Sequence, residues 1–123
     1  MRRGEVYWAD LGPPAGRRPV LVLSRNVAIP VLSAVVIAPI SRTIREIASE
    51  VRLGTEQGLP EDCAASCDNL LTVPKDRFEH SPVGVLGPDK VIELDRALRF
   101  ALETIRPRNW PSRFEAPMSS SEL

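Results

Sequence analysis

Apolar and polar residues follow one another along this chain in short runs, most of them closed by glycine or proline. Glu5-Val6-Tyr7-Trp8-Ala9-Asp10-Leu11 predicts a first strand with mixed alternation. Gly12-Pro13-Pro14-Ala15-Gly16 suits neither helix nor strand and predicts a stiff loop. Pro19 disfavours helix at Arg18 and starts an extended segment that runs to Ser24. Within it Val20 to Leu23 read as a buried strand from their apolar, β-branched content. After a less regular stretch around Ile29-Pro30, Ala34 to Ile40 is the most β-prone run, and Pro39 marks an edge or a bulge near its end. Arg42-Thr43-Ile44-Arg45 predicts a basic loop, and Ser49 to Leu53 a short strand. A turn over Gly58-Leu59-Pro60-Glu61-Asp62 leads to a strand or strand pair from Ala64 to Thr72. A helical turn over Pro74 to Phe78 and a late strand at Val83-Gly84-Val85-Leu86 follow.

The period then changes. From about Pro88 to Thr104 the apolar residues Val91, Leu94, Leu98, Ala101, Leu102 and Ile105 fall on one face of a helix. Pro88 suits the first helical position, and Asp89 suits the positive end of the helix dipole. Residues 106–123, with three prolines and Ser119-Ser120-Ser121, predict a trailing tail after a domain spanning 1–105. Several short strands closed by one amphipathic C-terminal helix predict a mainly β protein, a small bent barrel with the helix packed on it.

Composition narrows this picture. At 123 residues the chain makes one domain with a real core, which buries about two-thirds of its unfolded surface. No run approaches the ~18 apolar residues of a membrane span, and the start has no apolar signal region, so a cytoplasmic protein with no membrane partner is expected. Cys63 and Cys67 lie four apart, roughly 13 Å if extended, which is too far for a disulfide, and reduced buried thiols are expected. Net charge is zero, from 16 basic and 16 acidic residues. The balance is uneven: residues 1–45 carry +5 and residues 46–70 carry −5, a hint of a basic face.

For chemistry the chain offers little of the usual kind. It has one histidine, His80, with no motif around it for a catalytic triad, and two thiols with one distant histidine make no zinc site. A phosphate-cradling glycine-rich loop is also absent. What stands out is Arg18, at the mouth of the second strand. Its guanidinium is permanently charged and shaped to fork onto a phosphate. Read by itself, the position fits a surface salt bridge equally well.

Four segments change that balance. Arg3-Gly4-Glu5-Val6-Tyr7-Trp8-Ala9-Asp10-Leu11, Arg18-Pro19-Val20-Leu21-Val22-Leu23, Val36-Ile37-Ala38-Pro39-Ile40-Ser41 and Cys67-Asp68-Asn69-Leu70-Leu71-Thr72-Val73, in this order and followed by the closing helix, resemble the MazF/PemK (Kid) family of toxin–antitoxin ribonucleases. The resemblance covers roughly residues 2 to 105. It implies an SH3-like barrel of the CcdB/PemK kind, a homodimer, and cleavage of single-stranded RNA, usually mRNA, with no metal or cofactor. The ribose 2′-hydroxyl would act as nucleophile, leaving 2′,3′-cyclic phosphate and 5′-hydroxyl ends. A cognate antitoxin with an acidic, initially disordered segment would cover the RNA groove.

Carried onto this chain, the resemblance makes Arg18, Ser41 and Asp68 the catalytic candidates. Arg18 would stabilise charge on the phosphate, since a guanidinium is too weak an acid to give up its proton readily. Ser41 falls where many relatives carry threonine, and Thr43 can substitute for it. Asp68 matches an aspartate proposed as general base in the Kid branch. There an arginine stands two positions earlier, where this chain has Ser66. Arg17, Arg25, Arg42, Thr43, Arg45 and Asn69 are the RNA-binding candidates, the arginines for phosphates and Asn69 for a base edge. Tyr7 and Trp8 can stack a base, with at least one of them in the core. The loop before Arg18 is shorter than in many relatives and lacks their histidine and glutamate, so a different sequence preference is expected. The alternative function is that of a CcdB-like poison of DNA gyrase, with Trp110 in the tail.

Overall fold

The computed structural model describes residues 1–103. Seven strands precede one helix: β1 Glu5–Asp10, β2 Arg17–Val22, β3 Ala34–Ser41, β4 Glu50–Leu53, β5 Cys63–Ser66, β6 Leu71–Pro74, β7 Gly84–Val85 and α1 Pro88–Leu102. Every strand pairing is antiparallel, in the order β4-β5-β3-β2-β1-β7, with β6 also on β3. The result is the mainly β, single-helix architecture that the apolar pattern predicts. The predicted tail, Ile105 and Trp110 lie outside the described residues.

β3 is the hub, and its sequence explains how. One edge pairs with β2 through Ile37, Ala38 and Pro39. The opposite edge is shared: Ala34–Ile37 pair with β6, and Ile40–Ser41 pair with β5. The hand-over falls at Ala38-Pro39, where proline has no N–H to give a ladder. The bulge-like break expected at Pro39 is therefore where one sheet edge divides between two partners. The stretch from Ala64 to Thr72 is correspondingly a strand pair, β5 and β6, separated by a turn over 67–70.

The uninterrupted apolar run Val20–Leu23 is explained by burial on both faces of β2. Leu21 and Leu23 join Val6, Ile40, Val51 and Leu94 of α1 in one core, whereas Val20 and Val22 join Tyr7, Val35, Ile37 and Val73 in another. α1 lies over β4 and buries Leu94 and Ala97. Leu102 departs from the predicted face and is exposed. It lies eight residues beyond Leu94, about 80° around the helix, and the helix ends at once with Glu103 in a left-handed conformation.

Two glycines pin the segment between β4 and β5 to β7. A Cβ on Gly58 would meet the Val83 carbonyl oxygen at 1.9 Å, and one on Gly84 would meet the Gln57 carbonyl oxygen at 2.0 Å. Buried Gln57 closes this turn, its Oε1 accepting the Gly54 N–H at 2.8 Å. The crossing matters for function because Leu59, Pro60 and Glu61 follow directly.

Candidate functional site

Antiparallel pairing brings the start of β2, the end of β3 and the approach to β5 to one end of the sheet. Register sets Arg18 opposite Ala9 and Ser41 opposite Ala64. Between these elements lies a cavity of about 490 Å3, lined by Trp8, Arg17, Arg18, Ser41, Arg42, Thr43 and Glu61 among others. A second cavity of about 180 Å3 is lined by Arg18, Ser41, Thr43, Arg45, Ser66 and Asn69, with Glu50 also on its wall. Arg18, Ser41 and Thr43 border both cavities, so they form the ridge between them.

Arg18 is held without being neutralised. Its Nε donates to the Ala15 carbonyl oxygen at 3.1 Å, which ties the guanidinium to the short loop before it. That loop is braced by the Gly16 N–H to the Gly12 carbonyl and the Leu11 N–H to the Gly16 carbonyl. Among the described residues no carboxylate pairs with Arg18, so its charge is available to an anion. Ser41 Oγ accepts the Thr43 N–H at 3.1 Å, which orients the hydroxyl and leaves its proton free to donate.

The other cations differ. Arg17 forks onto Glu79 while its guanidinium lies 4.2 Å from the Trp8 ring centroid. This contact holds the Glu79 carboxyl below the ordinary carboxylate range and raises Arg17 further. Trp8 is half-buried with one face covered by Arg17, while Tyr7 is buried edge-on against Phe78. Tyr7 is therefore the core aromatic of the pair. Arg42 pairs with Glu61 at 3.2 Å, so one cation of the basic stretch meets one carboxylate of the acidic stretch. Arg45 lines the smaller cavity, and its N–H binds Glu50. Arg25 does not join them: it follows the far end of β2, in the loop whose carbonyl accepts the Ala28 and Ile29 N–H groups.

Asp68 lines neither cavity. Its Oδ2 accepts the hydroxyl of buried Ser49 at 2.5 Å, while the Cys67 N–H reaches the Ser49 carbonyl. Together these bonds tie the entry to β4 to the turn between β5 and β6. Asn69, one residue on, donates to Ser66 Oγ at 3.0 Å on the wall of the smaller cavity. Both cysteines are free and buried. Burial pushes the Cys67 thiol up to about 11, and burial with nearby Glu61 raises Cys63. No group of three or more His, Cys, Asp or Glu suited to a metal ion occurs among the described residues, and none of their helices is long and apolar enough to cross a membrane.

Nothing in the sequence pointed to Glu61, Glu50, Leu59 or Cys63 at this site. The acidic stretch 46–70 carries no periodicity that points its members at Arg18. Only the β3–β5 pairing brings it there.

The family profile described as PemK-like, MazF-like toxin of type II toxin-antitoxin system matches residues 2–102. The probable endoribonuclease MazF2 of Mycobacterium tuberculosis is 38% identical over 100 residues, which span 80% of this chain and 95% of the relative. Among solved structures, Mycobacterium tuberculosis toxin MazF-mt6 superposes with a TM-score of 0.74 at 33% identity, covering 80% of this chain and 96% of that one. An endoribonuclease in complex with its cognate antitoxin from a mycobacterial species superposes with a TM-score of 0.76 at 30% identity, covering 87% and 99%.

Proposed function

Because the chain belongs to the PemK-like, MazF-like toxins of type II toxin–antitoxin systems, we propose that it is an endoribonuclease toxin that cuts single-stranded RNA, mRNA above all, and so stops translation. The observation that carries this reading is the ridge of Arg18 and Ser41, with a guanidinium held by a backbone carbonyl and left without a carboxylate partner. The ribose 2′-oxygen attacks the adjacent phosphorus, the bond to the 5′-oxygen breaks, and the 2′-hydroxyl proton is lost as the 5′-oxygen gains one. The products are a 2′,3′-cyclic phosphate and a 5′-hydroxyl, with no metal or cofactor required. Negative charge gathers on the phosphate during attack, and this is where a fixed guanidinium and a serine hydroxyl act. Donors of this kind, already in place, are worth roughly 10²–10³ in rate each.

Asp68, bonded to Ser49, acts in this reading by fixing the turn that carries Asn69 rather than by taking the proton. Arg17, Arg42, Thr43 and Arg45 contact the RNA around the ridge, whereas Arg25 contributes only if the strand extends past the far end of β2. The domain spans 1–105 and acts in the cytoplasm. A homodimer accounts for apolar side chains that one copy leaves exposed, among them Phe100 and Leu102 at the helix end. The cognate antitoxin lays an acidic, coupled-folding segment over Arg18 and its neighbours. Binding of DNA gyrase is not favoured, since the matching family and relatives are of the MazF kind.

The test is cleavage of a mixed-sequence single-stranded RNA in excess EDTA, wild type against Arg18→Ala, with end-group analysis. Metal-free cuts that leave cyclic phosphates and vanish in Arg18→Ala are expected. A folded, antitoxin-free protein that cuts no RNA across varied sequences refutes the reading.

A further inference from the structure

The ridge divides the groove unequally, and its two sides differ in chemistry. A phosphate seated over Arg18 and Ser41 sends the nucleotide on one side into the larger cavity and its neighbour into the smaller one. The larger has the size of a small-ligand pocket, with Pro19, Ile40, Leu59 and Pro60 supplying apolar wall. Its one carboxylate is Glu61. A carboxylate beside a phosphate-binding ridge repels the phosphates of the RNA, so a nucleotide meets it through donors, a ribose hydroxyl or the N–H groups of its base, and of these only the base distinguishes one nucleotide from another.

The main chain of Glu61 is held in place, and its exposed side chain has one partner. Arg42 Nη1 donates to its Oε1, and the Cys63 thiol donates to its main-chain carbonyl oxygen at 3.2 Å. Its Oε2 has no hydrogen-bond partner among the described residues. The Gly58–Gly84 crossing anchors the segment just before it.

Resting on the ribonuclease reading, we infer that Glu61 is a specificity-determining residue, which accepts a hydrogen bond from the exocyclic amino group of a base in the larger cavity. Adenine, cytosine and guanine carry such a group. Uracil has a single N–H between two carbonyl oxygens, which the carboxylate repels, so uracil is disfavoured at that position. On the other side of the ridge, Glu50 has its Oε1 taken up by the Arg45 and Glu46 main-chain N–H groups, and Asn69 and Ser66 add neutral groups that both donate and accept. Preference at the two positions flanking the cut is therefore set separately.

The experiment is a pool of single-stranded RNAs randomised on both sides of the cut, digested by wild type, Glu61→Gln, Glu61→Asp and Asn69→Ala, with cut sites mapped by sequencing the ends. Wild type is expected to discriminate against uracil at one flanking position. Glutamine offers an amide that donates as well as accepts, so Glu61→Gln should raise cutting at uracil there about tenfold relative to amino-bearing bases, the worth of one hydrogen bond to a charged group. The other flank should keep its preference, and Asn69→Ala should relax that flank alone. Glu61→Asp keeps the charge and should keep the bias against uracil. Equal cutting at uracil by wild type, or a Glu61→Gln profile scaled by one factor at every sequence, overturns the inference. A wild type that cuts nothing is a different result, which fells the ribonuclease reading itself.

Discussion

Gly58→Ala tests how the groove wall is held. Gly58 sits at φ +81, and an added Cβ would lie 1.9 Å from the Val83 carbonyl oxygen and 2.7 Å from its carbon. Contacts below 3.0 Å are not sustained, so backbone must move by about 1 Å, and the obstacle is main chain rather than a side chain that can swing away. The left-handed conformation costs an alanine about 1–2 kcal/mol. Displacing packed backbone adds an amount typical of overpacking, about 1–3 kcal/mol. The sum, roughly 2–5 kcal/mol, lowers the melting temperature of a domain of this size by on the order of 10–20 °C. Gly12→Ala is the control. It has the same kind of backbone, at φ +75, with nothing within 4 Å of the added carbon, so it carries the conformational cost alone. Thermal unfolding followed by circular dichroism should place Gly58→Ala well below Gly12→Ala, and Gly12→Ala modestly below wild type. Equal melting temperatures for the two variants would refute the claim that the 54–59 turn is wedged against β7.

Arg18→Lys keeps a charge but loses the fork and the bond to Ala15, so its single-turnover cleavage rate should fall at least about tenfold. Its melting temperature should barely change, because the side chain is exposed. The Glu79 carboxyl is lowered in the folded protein, so its pairing with Arg17 stabilises the fold at neutral pH. That contribution is lost as pH falls through the lowered value; a carbon-detected NMR titration should find Glu79 below the ordinary carboxylate range and restored by Arg17→Ala. The Cys67 thiol, pushed up to about 11 from 9.0, should resist alkylation at pH 8 until the protein unfolds. Because the folded value is the higher one, its contribution to stability is full below 9.0 and lost as pH rises toward 11, and Cys67→Ala should remove that part of the alkaline dependence.

Much of the architecture was legible because it is set locally. Proline and glycine cut the chain into strand-length pieces, and alternation or unbroken apolarity within each piece reports how many faces are buried. The run Val20–Leu23 and the helical stripe through Leu94 and Leu98 are both of this kind, as is the interruption at Pro39. Arg18 and Ser41 were legible for a related reason. Each stands at the end of a strand whose limits are written in neighbouring residues, and short ordered motifs around them carry the family resemblance.

The rest belongs to tertiary structure, because pairing between strands far apart in sequence is decided by which faces bury together, not by either strand alone. Pro39 announced a break, but that β5 and β6 would share one edge of β3 follows from the whole sheet. That pairing brings Glu61 and Glu50, members of a stretch with no readable pattern, to the cations of the 42–45 loop. Arg25, only seven positions in sequence from Arg18, stands a strand's length away past the far end of β2. Asp68 and Asn69 are neighbours in sequence, yet one bonds a buried serine and the other lines a cavity. Sequence determined which residues end strands and which fill the core; only the folded sheet decided which charges meet, because a hydrogen bond depends on what the fold brings within 3 Å of it.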